Sequence, residues 1–480
     1  MTRHQPLNQW IGQVATAFPQ LSRPQATVLA LYSFGMILAQ RCGLNSVVTV
    51  LVPLLGVGFH TIRSRLQEFY QPAAAKSGRH RNQLDVTTCF APLLAWILQG
   101  WRSTRLAVAL DATSLGDRFT VLSISVVYRG HAIPVAWKVL LANVPHPWKP
   151  EWIALLRAFA GVVPPGWAVL VMTDRALYAR WLYREIVALG WHPVMRITHL
   201  SKFRKRGSKQ SVPVTALVPR VGCRWQGRGM AFPKKPERRL ECTMMACWEE
   251  GHEEPWFLVT DLDPDQAEGL WYGMRSWIEG GFQLLKRGGW QWQATRMTDP
   301  DRVERLWLVL AVATRYVLAV GGEADEAEFA DATVPEPSGR PAPSATAGPS
   351  KPGASRRAGV RRRGAPEQPT GLRQPRRRRT GTKQRLVSVF RQGLAVLLSV
   401  VIAGHALPQP SWRPEAWLEI RSAREVPPQQ LPTPVPKNPS LRGTPGDEGR
   451  SVPFSTPGRR STGHGDEGLS NPLTVAEFPR

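Results

Sequence analysis

The run RLAVALDAT (105–113), followed by FTVLSISVVYR (119–129) and HAIPVAWKVL (131–140), decides the fold class. All three are rich in β-branched and aromatic residues, and only short glycine-containing turns separate them, at Leu115–Asp117 and Arg129–Gly130. Such spacing predicts an antiparallel meander. Downstream the period changes. A helix is expected from Pro150 to Ala160, then the apolar strand WAVLVMTD (167–174), a second helix over Leu177–Leu189 and the strand HPVMRI (192–197). The order β-β-β-α-β-α-β is that of an α/β fold, a mixed sheet flanked by helices, as in ribonuclease-H-like nucleases.

Outward from this core the chain divides by composition. Residues 1–95 read as a helical domain: Pro24–Gln40 is apolar on most faces, and Leu44–Tyr70 splits into two helices around Pro53–Gly58. The second of these carries Arg63 and Arg65 on its polar side, which suits a helix-turn-helix reader of DNA or, equally, a plain bundle with a solvated face. Residues 198–263 interrupt the α/β pattern. They open with the basic KFRKRGSK (202–209) and continue through ECTMMACW (241–248) and PWFLVTDL (255–262), so a mainly β insertion is expected. Helical periodicity returns over Pro264–Lys286 and Pro300–Val320. Residues 322–383, rich in Pro, Gly, Ala and Arg without periodicity, are expected to be a disordered basic linker. Gln384–His405 reads as a further helix within a C-terminal segment, 384–420, and 421–480 as a disordered tail. The expected catalytic domain is therefore 100–320.

The 480 residues carry 62 Lys and Arg against 36 Asp and Glu, a formal net charge of +26. Residues 331–480 hold 24 basic and 11 acidic residues and residues 1–330 hold 38 and 25, so each part contributes +13. The folded part is thus basic in its own right, and a polyanion, most commonly nucleic acid, is the partner this favours. Cys42, Cys89, Cys223, Cys242 and Cys247 form no CxxC pair, which indicates neither a zinc ribbon nor a disulfide framework and fits a reducing cytoplasm. The N-terminus lacks a secretory pattern, and the longest apolar run, Leu394–Ala403, is about half the ~20 residues that span a bilayer, so no membrane role is expected.

Three acids sit where catalytic carboxylates are useful. Asp111 closes the first β run and Asp174 the strand WAVLVMTD. An ionised carboxylate at the end of a buried strand is costly unless it is paired or binds a cation, although turn and cap formation is the plain alternative. Glu279 lies in LWYGMRSWIEGGFQLLKRGG (270–289). In a helix, Tyr272, Arg275 and Lys286 would share one stripe with it, while Trp277, Ile278, Phe282, Leu284 and Leu285 would form a docking surface. A solvated Arg275–Glu279 pair is the plain alternative here. Gly280 and Gly281 weaken such a helix, which is tolerable where substrate backbone must come close.

Tyr-x2-Arg-x3-Glu-x6-Lys, filled by Tyr272, Arg275, Glu279 and Lys286, resembles the signature of the insertion-sequence-four family of DDE transposases. The Asp in LDAT, the Asp in MTDRA and an insertion before the Glu helix are similar to the same family. The resemblance covers roughly residues 100–320. It implies a ribonuclease-H-like catalytic core in which Asp111, Asp174 and Glu279 hold two Mg²⁺ or Mn²⁺ ions, with Tyr272, Arg275 and Lys286 holding the DNA. Two metals clamp the attacking and leaving oxygens of a phosphodiester displacement, and oxygen ligands suit such hard cations. The implied partners are double-stranded DNA, as transposon ends and as target, and a second copy of the chain in a synaptic complex. Family members that cleave through a hairpin place a flipped base in an aromatic pocket. Trp290 and Trp292 are candidates for that pocket, or for a half-buried strand.

Two other classes remain open at this level: a ribonuclease-H-like nuclease without strand transfer, and a non-catalytic DNA-binding protein in which both aspartates are turn residues. A glycosidase with paired carboxylates leaves the charge of +26 unexplained. The arginine runs Arg361–Arg363 and Arg376–Arg379 are expected to add salt-sensitive DNA affinity without base readout. Deleting residues 330–383 should flatten the salt dependence of DNA binding and leave sequence preference intact. An unchanged salt slope would show that these arginines touch no phosphates.

Overall fold

The computed structural model describes residues 5–76, 81–234, 236–331 and 387–419. The two arginine runs, the rest of the expected linker beyond Asp331 and the expected tail 421–480 lie outside the described residues. The N-terminal residues form α1 (Gln5–Ala17), α2 (Arg23–Ala39), α3 (Leu44–Leu55), α4 (Phe59–Tyr70) and α5 (Phe90–Gln99). Helix α2 begins with a capping box, Ser22 and Gln25 satisfying each other's backbone donors. It is buried from Val28 to Ile37 because the other helices pack around it. Gly56, at φ 64°, closes α3 in the left-handed conformation that glycine adopts without strain. Among the described residues no single helix is long and apolar enough to cross a membrane.

The meander follows as the sequence predicts: β1 (Arg105–Leu115), β2 (Phe119–Tyr128) and β3 (His131–Leu141) pair antiparallel in chain order. After α6 (Trp148–Arg157), β4 (Ala168–Thr173) returns parallel to β1; after α7 (Arg180–Ala188), β5 (His192–Arg196) pairs parallel to β4. Parallel neighbours and helices on the sheet bury the middle strands, which is why β1 and β4 read as nearly continuous apolar runs.

The insertion is β-rich, as expected: β6 (Lys202–Lys205), β7 (Val212–Pro213), β8 (Arg224–Ala231), β9 (Leu240–Cys247) and β10 (Trp256–Thr260). It is not a separate layer. Strand β10 pairs antiparallel with β5, Leu258 opposite Arg196 and Val259 opposite Met195, and the whole forms one ten-stranded mixed sheet in the order β3-β2-β1-β4-β5-β10-β9-β8-β6-β7. Without β10, β5 would be an open edge of unpaired N–H and C=O groups.

The segment expected as one helix from Pro264 to Lys286 is broken. It runs as 3-10 turns over Pro264–Gln266 and Gly269–Ser276, a short α8 (Trp277–Gln283) and a π turn over Leu284–Gly288. Its glycines serve packing. A Cβ on Gly281 would meet the backbone of Ala132, and one on Gly280 the carbonyl of Gly130, so both let α8 lie on the β2–β3 turn.

Helix α9 (Pro300–Asp331) passes the expected end at Val320 by three turns, into the stretch expected to be disordered. Leu306 to Val312 are buried on every side, the mark of a core helix. The extra turns are held by ion pairs that composition does not reveal: Arg129 reaches Asp325 at 2.6 Å and Glu326 at 2.7 Å, and Arg413 reaches Glu326 at 3.1 Å. Helix α10 (Val389–Ile402) packs along α9. The segment after it, expected to be helical or a free tail, is an extended strap. Trp412 exchanges backbone hydrogen bonds with Gly100 and Arg102 and is buried against Trp101 and Tyr128.

The crossing of α9 and α10 depends on two glycines that face each other. A Cβ on Gly321 would overlap the carbonyl of Val389, and one on Gly393 the carbonyl of Val317. Gly321→Ala and Gly393→Ala should each cost about 1–3 kcal/mol, because neither backbone can yield. Gly12, inside α1 with nothing near its Cβ position, should instead stabilise by roughly 0.5–1 kcal/mol when replaced by Ala. Urea unfolding of the three variants checks both signs; equal effects at Gly12 and Gly393 would refute the packing argument.

Candidate functional site

Strands β1 and β4 run parallel in register from Arg105 opposite Ala168 to Leu110 opposite Thr173. Asp111 and Asp174 are the next residues on each, at the carboxyl edge of the pair, where open α/β sheets present their crevices. Asp111 does not end β1, as the sequence suggests; β1 runs on to Leu115 along β2. It stands where β4 stops covering it. Asp174 takes two roles: Oδ1 accepts the Leu177 N–H at 2.9 Å, making the turn, while Oδ2 points toward Arg275 at 3.7 Å.

Arg275 gathers all three acids. Its guanidinium donates to Asp111 Oδ2 at 2.7 Å and Glu279 Oε1 at 2.6 Å, in addition to the longer contact with Asp174. It is 14% exposed, Asp111 17%, Asp174 31% and Glu279 59%, so the pair on the sheet is shielded and Glu279 borders solvent. The i,i+4 contact of Arg275 with Glu279 exists as the helical spacing predicts, but the arginine also crosses to the sheet. Burial pushes the Asp111 carboxyl up to about 6; Arg275 pulls it down, and the charges of Asp174 and Glu279 push it up again. The same acids hold the Arg275 guanidinium above its usual range, against the burial that lowers it. One cation facing three carboxylates leaves an excess of negative charge.

The remaining signature residues are close by but not on one helical face. Lys286 has non-helical φ/ψ of −88° and −126°. Its Nζ reaches back to β1, donating to Thr113 Oγ1 and Ser114 O at 2.8 Å each, and burial lowers its pKa. Tyr272 is buried edge-on to Trp256, and burial pushes its hydroxyl up to about 12. Trp277 is half-buried, and Ile278, Phe282, Leu284 and Leu285 form the expected docking surface.

A cleft of about 450 Å³ opens beside Asp174, lined among others by Arg175, Arg196, His252, Trp256, Tyr272 and Arg275. Sequence reasoning missed four of these. Arg175 was legible as the neighbour of Asp174; His252 and Trp256 arrive from the insertion, and no spacing rule connects them to the aspartates. Trp290 and Trp292 are neither a base pocket nor a half-buried strand. Both are fully buried, Trp290 bonded to Thr314 and packed on Phe390, and Trp292 edge-on to Trp307. They are core. On α4, Arg65 is exposed, whereas Arg63 is half-buried and donates to Asn45 and Gln67. Among the described residues no three His, Cys, Asp or Glu side chains are closed up around a common point as a metal site; Arg275 stands between the acids.

No family model matches the sequence, and no curated protein matches it. Among solved structures the chain is similar to a piggyBac transposase in a cryo-EM synaptic complex with hairpin DNA, at 10% identity and a TM-score of 0.36, over 67% of this chain and 75% of that one.

Removing the guanidinium should leave three carboxylates repelling one another. Arg275→Ala is expected to lose about 2–3 kcal/mol of stability at neutral pH, at the low end for breaking a buried ion pair because Glu279 is open to water. Adding Asp111→Asn should recover more than half of that loss. Urea unfolding of the single and double variants decides it: no recovery in the double variant would mean that Arg275 acts by packing and not by charge.

Proposed function

We propose that the chain is a metal-dependent DNA transposase of the DDE type, with a ribonuclease-H-like core in which Asp111, Asp174 and Glu279 are the catalytic carboxylates. It would cleave transposon ends and join the 3′ ends to target DNA. The observation that carries this reading is the meeting of three acids from β1, the end of β4 and α8 on one guanidinium, at the carboxyl edge of two parallel strands. Ordinary turn residues have no cause to converge there. Gathering several acids around one base, Asp111 and Arg275 among them shielded from solvent, is costly for stability, and such groupings accumulate at functional sites. The order of elements, three antiparallel strands and then two parallel ones with intervening helices, supports the ribonuclease-H-like assignment.

The donor set fits a hard divalent cation. All donors are carboxylate oxygens, the choice for Mg²⁺ or Mn²⁺, and three of them face the single cation Arg275. Asp111, Asp174 and Glu279 would hold two such ions, which when bound supply charge stabilisation to the attacking and leaving oxygens of a phosphodiester. Arg275, released from the acids, would take a phosphate of the cleaved strand through its planar fork. Lys286 fixes the end of β1 through Thr113 and Ser114, and so positions Asp111. Tyr272, with Arg175 and Arg196, lines the cleft in which the DNA end would lie. Double-stranded DNA is the partner this chemistry requires, a second copy of the chain would complete a synaptic pair, and the bacterial cytoplasm is where both would be met.

The test uses duplex DNA carrying the sequences that flank the coding region. Asp111→Asn, Asp174→Asn and Glu279→Gln should each lower Mg²⁺-dependent cleavage roughly 100-fold or more, with circular dichroism and DNA binding unchanged, and EDTA should abolish cleavage of the wild type. A folded variant that cleaves at the wild-type rate removes that residue from the site. Cleavage without joined products would replace transposition by hydrolysis alone.

A further inference from the structure

Away from the three acids, a cleft of about 620 Å³ lies between the N-terminal helices and the loop that leads into α9. Arg41, Arg63, Arg296 and Arg302 line it, and no Asp or Glu does. Among the described residues none of the four arginines makes an ion pair. Arg63 is oriented by two neutral acceptors, Asn45 Oδ1 at 3.2 Å and Gln67 Oε1 at 3.0 Å, and the buried Nε of Arg302 has no hydrogen-bond partner. Arg41 and Arg296 are exposed at the cleft. Gly43 to Ser46, the N-cap and first residues of α3, form part of the same wall, and α3 has no side-chain cap, the kind of helix start that takes an anion.

Four guanidiniums that share a cleft without an ion pair among the described residues repel one another, Asp299 accepting the Arg302 backbone N–H and not its guanidinium, and the arrangement is stabilised when negative charge enters. A single small dianion offsets two of them. A run of phosphodiesters offsets all four, and it can bridge segments that are distant in sequence. We propose that this cleft is a second DNA site, which grips the phosphate backbone of a duplex between the N-terminal helices and the α9 loop. The proposal rests on the reading of the chain as a DNA-processing enzyme, yet it can fail or stand independently of the carboxylates. Its consequence is mechanical: Arg41 and Arg63 belong to the helical domain, Arg296 to the loop before α9 and Arg302 to the first turn of α9, so bound duplex ties the two parts together.

The test is binding of a short fluorescein-labelled duplex, read by anisotropy in EDTA, where no cleavage contributes. Arg41→Ala/Arg296→Ala removes the two exposed members and leaves Arg63 and Arg302 in place. Arg23→Ala/Arg102→Ala removes the same charge from exposed positions, at the start of α2 and just after α5, outside the cleft. The cleft pair should weaken binding about tenfold, as loss of charge-assisted bonds does, and make the log–log salt slope shallower by about 1.8, two phosphate contacts' worth. The control pair, its charges screened by salt, should change affinity less than about twofold. Equal losses in the two pairs, or an unchanged slope in the cleft pair, would overturn the proposal. So would a loss seen with RNA of the same length and not with duplex DNA. Normal cleft binding by a chain that never cleaves would instead leave this site standing and remove the proposed chemistry.

Discussion

Three carboxylates at the edge of a sheet repel one another, and Arg275 is the interaction that lets them stand together. It bonds Asp111 and Glu279 directly and lies near Asp174, so it couples the two parallel strands to the irregular segment after the insertion. Its position explains features that otherwise look unrelated. The 3-10 geometry over Gly269–Ser276 brings Arg275 in from the side of the sheet, and Trp271, in the same turn, is tied to the C-terminal strap through the Leu418 carbonyl. Gly280 and Gly281 then let α8 settle on the β2–β3 turn. The local structure is unfavourable for a helix, and tertiary contacts decide it.

The second constraint is α9. A helix apolar on all sides must be covered on all sides, and here the covering comes from α2, α4, β3 and α10. It therefore joins the N-terminal helices to the sheet that bears the acids. Two buried arginines mark its polar joints: Arg305 donates to the carbonyls of Tyr70 and Leu84, and Arg315 stacks over Trp96 at 3.8 Å, where burial lowers its pKa to about 9. The mutual approach of Gly321 and Gly393 brings α10 close enough for Phe390 to reach Trp290. What the sequence presents as separate helical and catalytic domains is packed through one central element.

The sequence by itself determined the strand and helix order from Arg105 to Arg196 and the β character of the insertion, because hydrophobic periodicity is a local property and these elements obey it. It also singled out Asp111, Asp174, Arg275, Glu279 and Lys286, since strand-end acids and a fixed spacing are visible along one dimension. Tertiary structure alone decided how they are used. Whether Arg275 faces solvent or the acids depends on where β1 and β4 lie, and no window of sequence contains both. Pairing of β10 with β5, the extra turns of α9 held by Arg129, the docking of Trp412 and the burial of Trp290 and Trp292 all join residues far apart in the chain. Each is set by the burial of apolar surface or the pairing of charge across that distance, and composition near any one residue carries no record of its partner.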